Sequence, residues 1–152
     1  MSDDVRIRVA TARDAVAVAE VFIASFDTIT FLPRLHTREE TFSFIANTVL
    51  REQEVLVAEQ DGRIRGFVAM ADGNSLEHLY VHPEAQGRGI GSALLERAKE
   101  RMPGGFRLWV FQQNAQARRF YEHRGLRVVE LTDGAGNEER TPDARYEWRP
   151  EA

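Results

Sequence analysis

The stretch LEHLYVHPEAQGRGIGSALLERAKE, residues 76 to 100, most constrains the fold. Leu76 to His82 reads as a strand, and Pro83 ends it. Gly87, Gly89 and Gly91 then stand at alternate positions where the apolar period becomes helical, with Ile90, Leu94 and Ala98 on one stripe. Pro103-Gly104-Gly105 closes the helix. A strand that enters a helix through so short a turn must lay that helix on its own sheet. Glycines there let backbone N–H groups converge without Cβ interference, and the helix start adds about half a positive charge, so the turn suits a pyrophosphate. The dinucleotide fingerprint requires glycine where Ser92 stands, and the P-loop requires a Gly-Lys-Ser/Thr that is absent, which argues against a nucleotide hydrolase. A glycine turn serving only close helix packing is the competing reading.

The flanking sequence supplies the rest of the sheet. Val5 to Val9 alternates as an amphipathic strand, and Thr11 with Asp14 opens a first helix over about 12 to 26. Thr37-Arg-Glu-Glu40 has capping-box spacing before Phe42, Ile45 and Val49, which predicts a second helix over about 38 to 51. VLVAEQ-DG-RIRGFVAM reads as two strands around Asp61-Gly62, and Asp72-Gly73-Asn74 offers a second turn, giving an antiparallel meander. Phe106 to Phe111 is a strand, Asn114 to Arg124 a helix closed by Gly125, Leu126 to Leu131 a strand, and ARYEWRP one more. The order β α α β β β α β α β β predicts an α/β fold, a single domain over residues 1–152 with a mixed, mostly antiparallel sheet flanked by helices.

Composition narrows the function. With no cysteine, disulfides, thiolate metal sites and cysteine nucleophiles are ruled out. His36, His82 and His123 show no helical i, i+4 spacing, so no metal site is expected. A net charge of −4 argues against nucleic-acid or anionic-membrane partners and suits a cationic acceptor. No apolar run reaches the roughly 18 residues of a membrane span, and MSDDVRIRVA lacks a secretory pattern, so the expected location is cytoplasmic.

A second stretch, LWVFQQNAQARRFYEHRGL, residues 108 to 126, carries polar chemistry. Asn114 is a good N-cap, and Tyr121 follows seven residues later on nearly the same helix face, about 10 Å along the axis. The pair can flank one elongated ligand. A phenol of pKa about 10 keeps its proton at pH 7 and can assist a departing thiolate of pKa about 8.5, so a thioester leaving group matches it. Capping by Asn114 and core packing by Tyr121 are the plain alternatives.

Together, VHPEAQGRGIGSALL and NAQARRFYEHRGL resemble the GNAT superfamily of acetyl-CoA-dependent N-acetyltransferases, whose phosphate loop reads Gln/Arg-x-x-Gly-x-Gly/Ala before a helix. Gln86, Gly89 and Gly91 match that loop, and the motif resemblance covers about residues 75 to 130. It implies that the pyrophosphate of acetyl-CoA, a co-substrate, lies on Gln86, Gly87, Arg88, Gly89, Ile90 and Gly91. It implies backbone contacts from Leu79, Tyr80 and Val81 to the acetyl and pantetheine groups, a cofactor contact from Asn114, and general-acid catalysis by Tyr121 beside the cofactor.

The nearest match to the family's strand glutamate base is Glu77, with His78 or water as competitors. A carboxylate near pKa 4.3 is a weak acceptor for an amine near 10.4, so a relay is needed. The expected reaction is direct acetyl transfer to a primary amine in a ternary complex, the acceptor being an amine-bearing small molecule or peptide. A non-catalytic acyl-CoA-binding sensor is the alternative. Relatives are often dimers, so the resemblance also leaves a homodimer possible. Acceptor choice is expected in Ser25 to His36, where Phe26, Phe31, Leu32 and Leu35 would wall a pocket.

Overall fold

Two short turns set the centre of the sheet in the computed structural model, which describes residues 4–150. Asp61 (φ 54°) and Gly62 (φ 77°) take the left-handed conformations that a two-residue hairpin demands, joining β2 (Glu54–Gln60) to β3 (Arg63–Ala71). Asp72-Gly73 repeats the device into β4 (Ser75–Val81). With β1 (Arg6–Val9), β5 (Phe106–Phe111), β6 (Arg127–Leu131) and β7 (Asp143–Trp148), these form one seven-stranded sheet in the order β1-β2-β3-β4-β5-β7-β6. Every pairing is antiparallel except β4 with β5. The element order follows the sequence expectation; the insertion of β7 between β5 and β6 could not be read from order alone.

The runs VLVA and FVAM are almost continuously apolar because both faces of β2 and β3 are covered. Leu56, Ala58, Val68 and Met70 face one cluster with Ile90, Leu94, Leu95 and Ala98 of α4 (Ile90–Arg101) and Tyr121 of α5 (Ala115–His123). Val55, Val57, Phe67 and Ala69 face the other, with Val18, Ala19 and Val21 of α1 (Ala15–Phe26). The second predicted helix is composite. It begins as α2 (Arg38–Phe44), passes through a π turn at Ile45–Val49 and ends as α3 (Leu50–Glu52). The predicted capping box forms: Glu40 N–H donates to Thr37 Oγ1 at 3.1 Å and Thr37 N–H to Glu40 Oε1 at 2.8 Å. Ile45 and Val49 at the ends of the π turn are both fully buried against α1 and the sheet.

The first helix opens with a 3₁₀ turn at Ala12–Asp14. Asp14 accepts two hydrogen bonds from the Arg8 guanidinium, at 2.8 and 2.9 Å, and one from Thr11 N–H at 2.7 Å. The Arg8 hydrogen bonds hold its carboxyl down to about 2. Among the described residues no helix is long and apolar enough to cross a membrane.

Candidate active site

The sheet opens between β4 and β5. These strands pair only at Ser75 and Arg107, with Arg107 N–H donating to Asn74 O at 3.0 Å. Beyond that point β5 follows β7 from Phe106 to Phe111 while β4 stays on β3, so a wedge separates them. His82 N–H donates to Arg65 O at 2.7 Å, which fixes the alternation along β4. The backbone groups of Tyr80 therefore point to β3, and those of Leu79 and Val81 point into the wedge. Val81 O accepts from Ser25 Oγ at 2.9 Å and from Gln86 Nε2 at 3.4 Å.

A cavity of about 560 Å³ fills the wedge and reaches the start of α4. Gly87 and Gly89 have φ of 81° and 82°, and a Cβ on either would meet nothing within 4 Å. Gly89 is the N-cap of α4 and lends no side chain to it, so the N–H groups of Ile90, Gly91 and Ser92 face the cavity mouth without a capping acceptor. Gly91 has a different task. A Cβ there would stand 3.3 Å from the Phe120 ring, so this glycine lets α4 approach α5, and the packing reading holds for it. The Ile90 side chain is buried in the core, and only its backbone is available to a ligand. The Arg88 guanidinium turns away and donates to Gln60 Oε1 at 2.9 Å, leaving its backbone in the loop.

Across the wedge, Asn114 caps α5 as predicted: its Oδ1 accepts from Ala117 N–H at 3.2 Å, and its amide nitrogen makes no hydrogen bond among the described residues. Tyr121 lies between core and cavity. Its ring packs on Phe120 at 5.2 Å and 81°, and the residue is 8% exposed. Its hydroxyl makes no hydrogen bond among the described residues, yet it is not a sealed buried atom, so it opens to the cavity it lines. Burial, and secondarily the nearby Tyr80, pushes its phenol well above the usual tyrosine range.

Arg124 and Ser92, which the sequence reading passed over, join the lining. Arg124 Nε donates to Ser92 Oγ at 2.8 Å while the guanidinium lies 4.0 Å from the Phe120 ring centre. A cation is thereby held at the first turn of α4. Its signal was an arginine three residues after Tyr121 at the end of an amphipathic helix. On the acetyl-CoA site that the sequence resemblance implies, replacing Arg124 with Gln is expected to raise the KM for acetyl-CoA about tenfold with kcat nearly unchanged, checked by steady-state kinetics, because a cation would be lost beside the implied diphosphate.

A second cavity, of about 810 Å³, lies on the other side of β4 under α1 and α2. His78 and Tyr80 line it, and Tyr80 lines both cavities. His78 sits among Phe22, Phe44 and Phe67 at ring separations of 5.7, 6.0 and 6.4 Å, and burial pushes its imidazole down to about 4. Glu77 lines neither cavity. The register slips by one opposite Ala69 and Met70, and at this bulge Glu77 is exposed, accepting from Ser75 Oγ at 3.0 Å.

The segment Ser25 to His36 divides between the cavities. Ser25 and Phe31 line the first, Phe26 and Leu35 the second, and Leu32, at 7% exposure, belongs to the core. Phe31 thus lines the wedge and meets Phe111, which lines the second cavity, at 6.2 Å. Among the described residues no group of three or more His, Cys, Asp or Glu is placed to hold a metal ion.

Residues 51–127, wedge strand, glycine loop and α5 included, match the family described as an acetyltransferase (GNAT) domain. The chain belongs to the GNAT acetyltransferase family. Over 86 residues it is 35% identical to the peptidyl-lysine N-acetyltransferase YiaC of Escherichia coli, covering 57% of this chain and 58% of that protein. The solution structure of apo YjaB from Escherichia coli superposes with a TM-score of 0.79 at 23% identity, covering 97% of this chain and 99% of that one. The PaiA N-acetyltransferase of Thermoplasma acidophilum, solved in complex with coenzyme A, superposes at 0.75 and 25% identity over 96% and 99%. The GNAT fold therefore extends over nearly the whole chain.

Proposed function

We propose that this GNAT protein transfers acetyl from acetyl-CoA to a primary amine by direct attack in a ternary complex. The observation that carries the reading is Tyr80, which borders two cavities at once: a wedge fitted to an elongated anion-bearing thioester and an aromatic cavity on the acceptor side. A sensor that only binds acyl-CoA has no use for the second. The relative named as a peptidyl-lysine N-acetyltransferase supports an amine as acceptor.

The residues present fit acetyl-CoA. The space before Gly87 and Gly89 is open, and uncapped N–H groups of α4 point to it, as an anionic diphosphate needs. Acetyl-CoA supplies an activated acyl group on a thiol leaving group. The outward N–H groups of Leu79 and Val81 polarise the thioester carbonyl, the Leu79 C=O holds the extended pantetheine end, the Asn114 amide nitrogen donates from the opposite wall, and the Tyr121 hydroxyl donates to the departing sulfur. For the amine proton the geometry favours His78 over Glu77. Burial keeps the His78 imidazole neutral at pH 7 but leaves it no stronger a proton acceptor than a carboxylate, so it takes a hydrogen bond from the nitrogen as it bonds to carbon while the proton passes on to water. Glu77 acts there only through water.

The deciding experiment is thiol release from acetyl-CoA against a diverse amine panel. Amine-dependent turnover is expected, and acetyl-CoA binding without turnover for any amine would sink the transferase reading in favour of the sensor. With an active amine in hand, His78→Gln should lower kcat about tenfold or more while Glu77→Gln lowers it less than about threefold. The reverse order returns the base to Glu77.

A further inference from the structure

We propose that the acceptor is a primary amine on a ring-bearing or branched apolar body, bound in the second cavity as its single ammonium with the charge against Glu139, and attacking only after that nitrogen has given one proton to water. The inference rests on the acetyl-transfer reading above and names its substrate class. The walls fix the body. Phe22 and Phe26 stack at 6.1 Å and 7°, and Phe44, Phe111 and Tyr80 complete an aromatic enclosure of about 810 Å³, a size suited to a small organic molecule or a terminal residue. A linear polycation would bring charges that these rings cannot match.

The charges fix the head group. The Asp27 carboxylate is paired with Arg34, Glu138 with His36 at 2.6 Å, and Glu40 is engaged in the capping box with Thr37. Arg38 lies over the Phe42 ring at 5.4 Å. Glu139 is different. It is half-buried and lines the cavity, and its carboxylate has no ion pair or hydrogen bond among the described residues. Its loop is nevertheless fixed, since the Thr141 hydroxyl donates to Glu139 O at 3.0 Å and the Asn137 side chain donates to Thr141 O at 2.7 Å. The negative charge of Glu139 reaches Tyr80: after burial, it is the second cause that pushes that phenol up to about 12. An unmatched carboxylate on a held loop, lining the cavity with the residue shared by both, is complementary to one ammonium and would draw it toward the Tyr80 side. An apolar amine lacking the charge, or a charge lacking the apolar body, satisfies only half of the cavity.

The test uses four probes with the whole protein: 2-phenylethylamine, a short peptide with N-terminal phenylalanine, spermidine, and a peptide presenting an internal lysine. By thiol release, kcat/KM for one of the first two is expected to exceed both of the others by about tenfold or more. Whichever of the two leads identifies the source of the amine, and either result supports the class. Glu139→Gln should raise the KM of the leading amine about tenfold while leaving the KM for acetyl-CoA unchanged, and Glu139→Asp should restore part of the loss. Preference for spermidine or internal lysine, or indifference to Glu139→Gln, overturns the proposal while leaving acetyl transfer intact. Calorimetry of the same amines on the CoA-loaded protein separates the two failures. If no probe is turned over but 2-phenylethylamine or the phenylalanine peptide binds and Glu139→Gln weakens it about tenfold, the acceptor class stands and transfer falls. If neither binds, the class falls.

Discussion

Acetyl-CoA should bind Gly89→Val at least tenfold more weakly than it binds the unchanged protein, a loss of about 1.4 kcal/mol or more in binding free energy. Two effects act at this position. With φ at 82° a β-branched residue is strained, which costs stability of about 1–3 kcal/mol. The new side chain also enters the open space before the α4 N–H groups, where in the proposed complex the diphosphate approaches the backbone. Only the second effect concerns the ligand. Gly73→Val separates them, because Gly73 has φ of 72° with nothing within 4 Å of a Cβ, yet stands at a hairpin turn outside both cavities. Thermal midpoints should fall in both variants, while calorimetry should show weakened acetyl-CoA binding only in Gly89→Val. Equal affinity in the two folded variants would remove the loop from the diphosphate site.

The parts of this site that were legible in the sequence are those written in local chemistry. Asp61-Gly62, the Thr37–Glu40 box, the glycines before α4 and the Asn114 cap each encode a conformation within a few residues, and each forms as read. The three glycines differ in their surroundings: Gly87 and Gly89 leave open space before α4, while Gly91 admits Phe120. What escaped the sequence depends on distant register. The bulge that exposes Glu77 arises from how β3 and β4 pair, and alternation along β4 alone would not reveal it. Likewise Phe31 and Leu35, four residues apart in one loop, face different cavities because β4 runs between them. Glu139 lines one cavity with His78 and Tyr80 because β7 inserts beside β5 and carries the preceding loop to that side of β4. No spacing rule connects residues 78 and 139.

Tyr121→Phe is expected to lower kcat about 10²-fold or more, with the KM for acetyl-CoA changed much less and the thermal midpoint nearly unmoved. The stability expectation follows from the hydroxyl's lack of a partner. Because it makes no hydrogen bond among the described residues, deleting it breaks none and leaves the ring on Phe120 and near Tyr146. A tyrosine kept only for the core would lose packing or a buried hydrogen bond on change, and this substitution removes neither. The kinetic expectation follows from the direction of its proton affinity. Burial raises the phenol above its usual value of about 10, so transfer to a thiolate of about 8.5 is uphill by more than about 2 kcal/mol. In the proposed mechanism Tyr121 therefore acts by donating a hydrogen bond to charge as it develops on sulfur, and the nascent thiolate would leave for solvent with its proton still to gain. The same shift fixes the pH profile. Tyr121 stays protonated past pH 10, so any fall of kcat below that pH belongs to another group, and the Phe variant should keep the shape of the wild-type profile at a lower height. A Phe variant that retains most of its turnover, measured per folded molecule on the preparation used for the thermal midpoint, would take Tyr121 out of the mechanism.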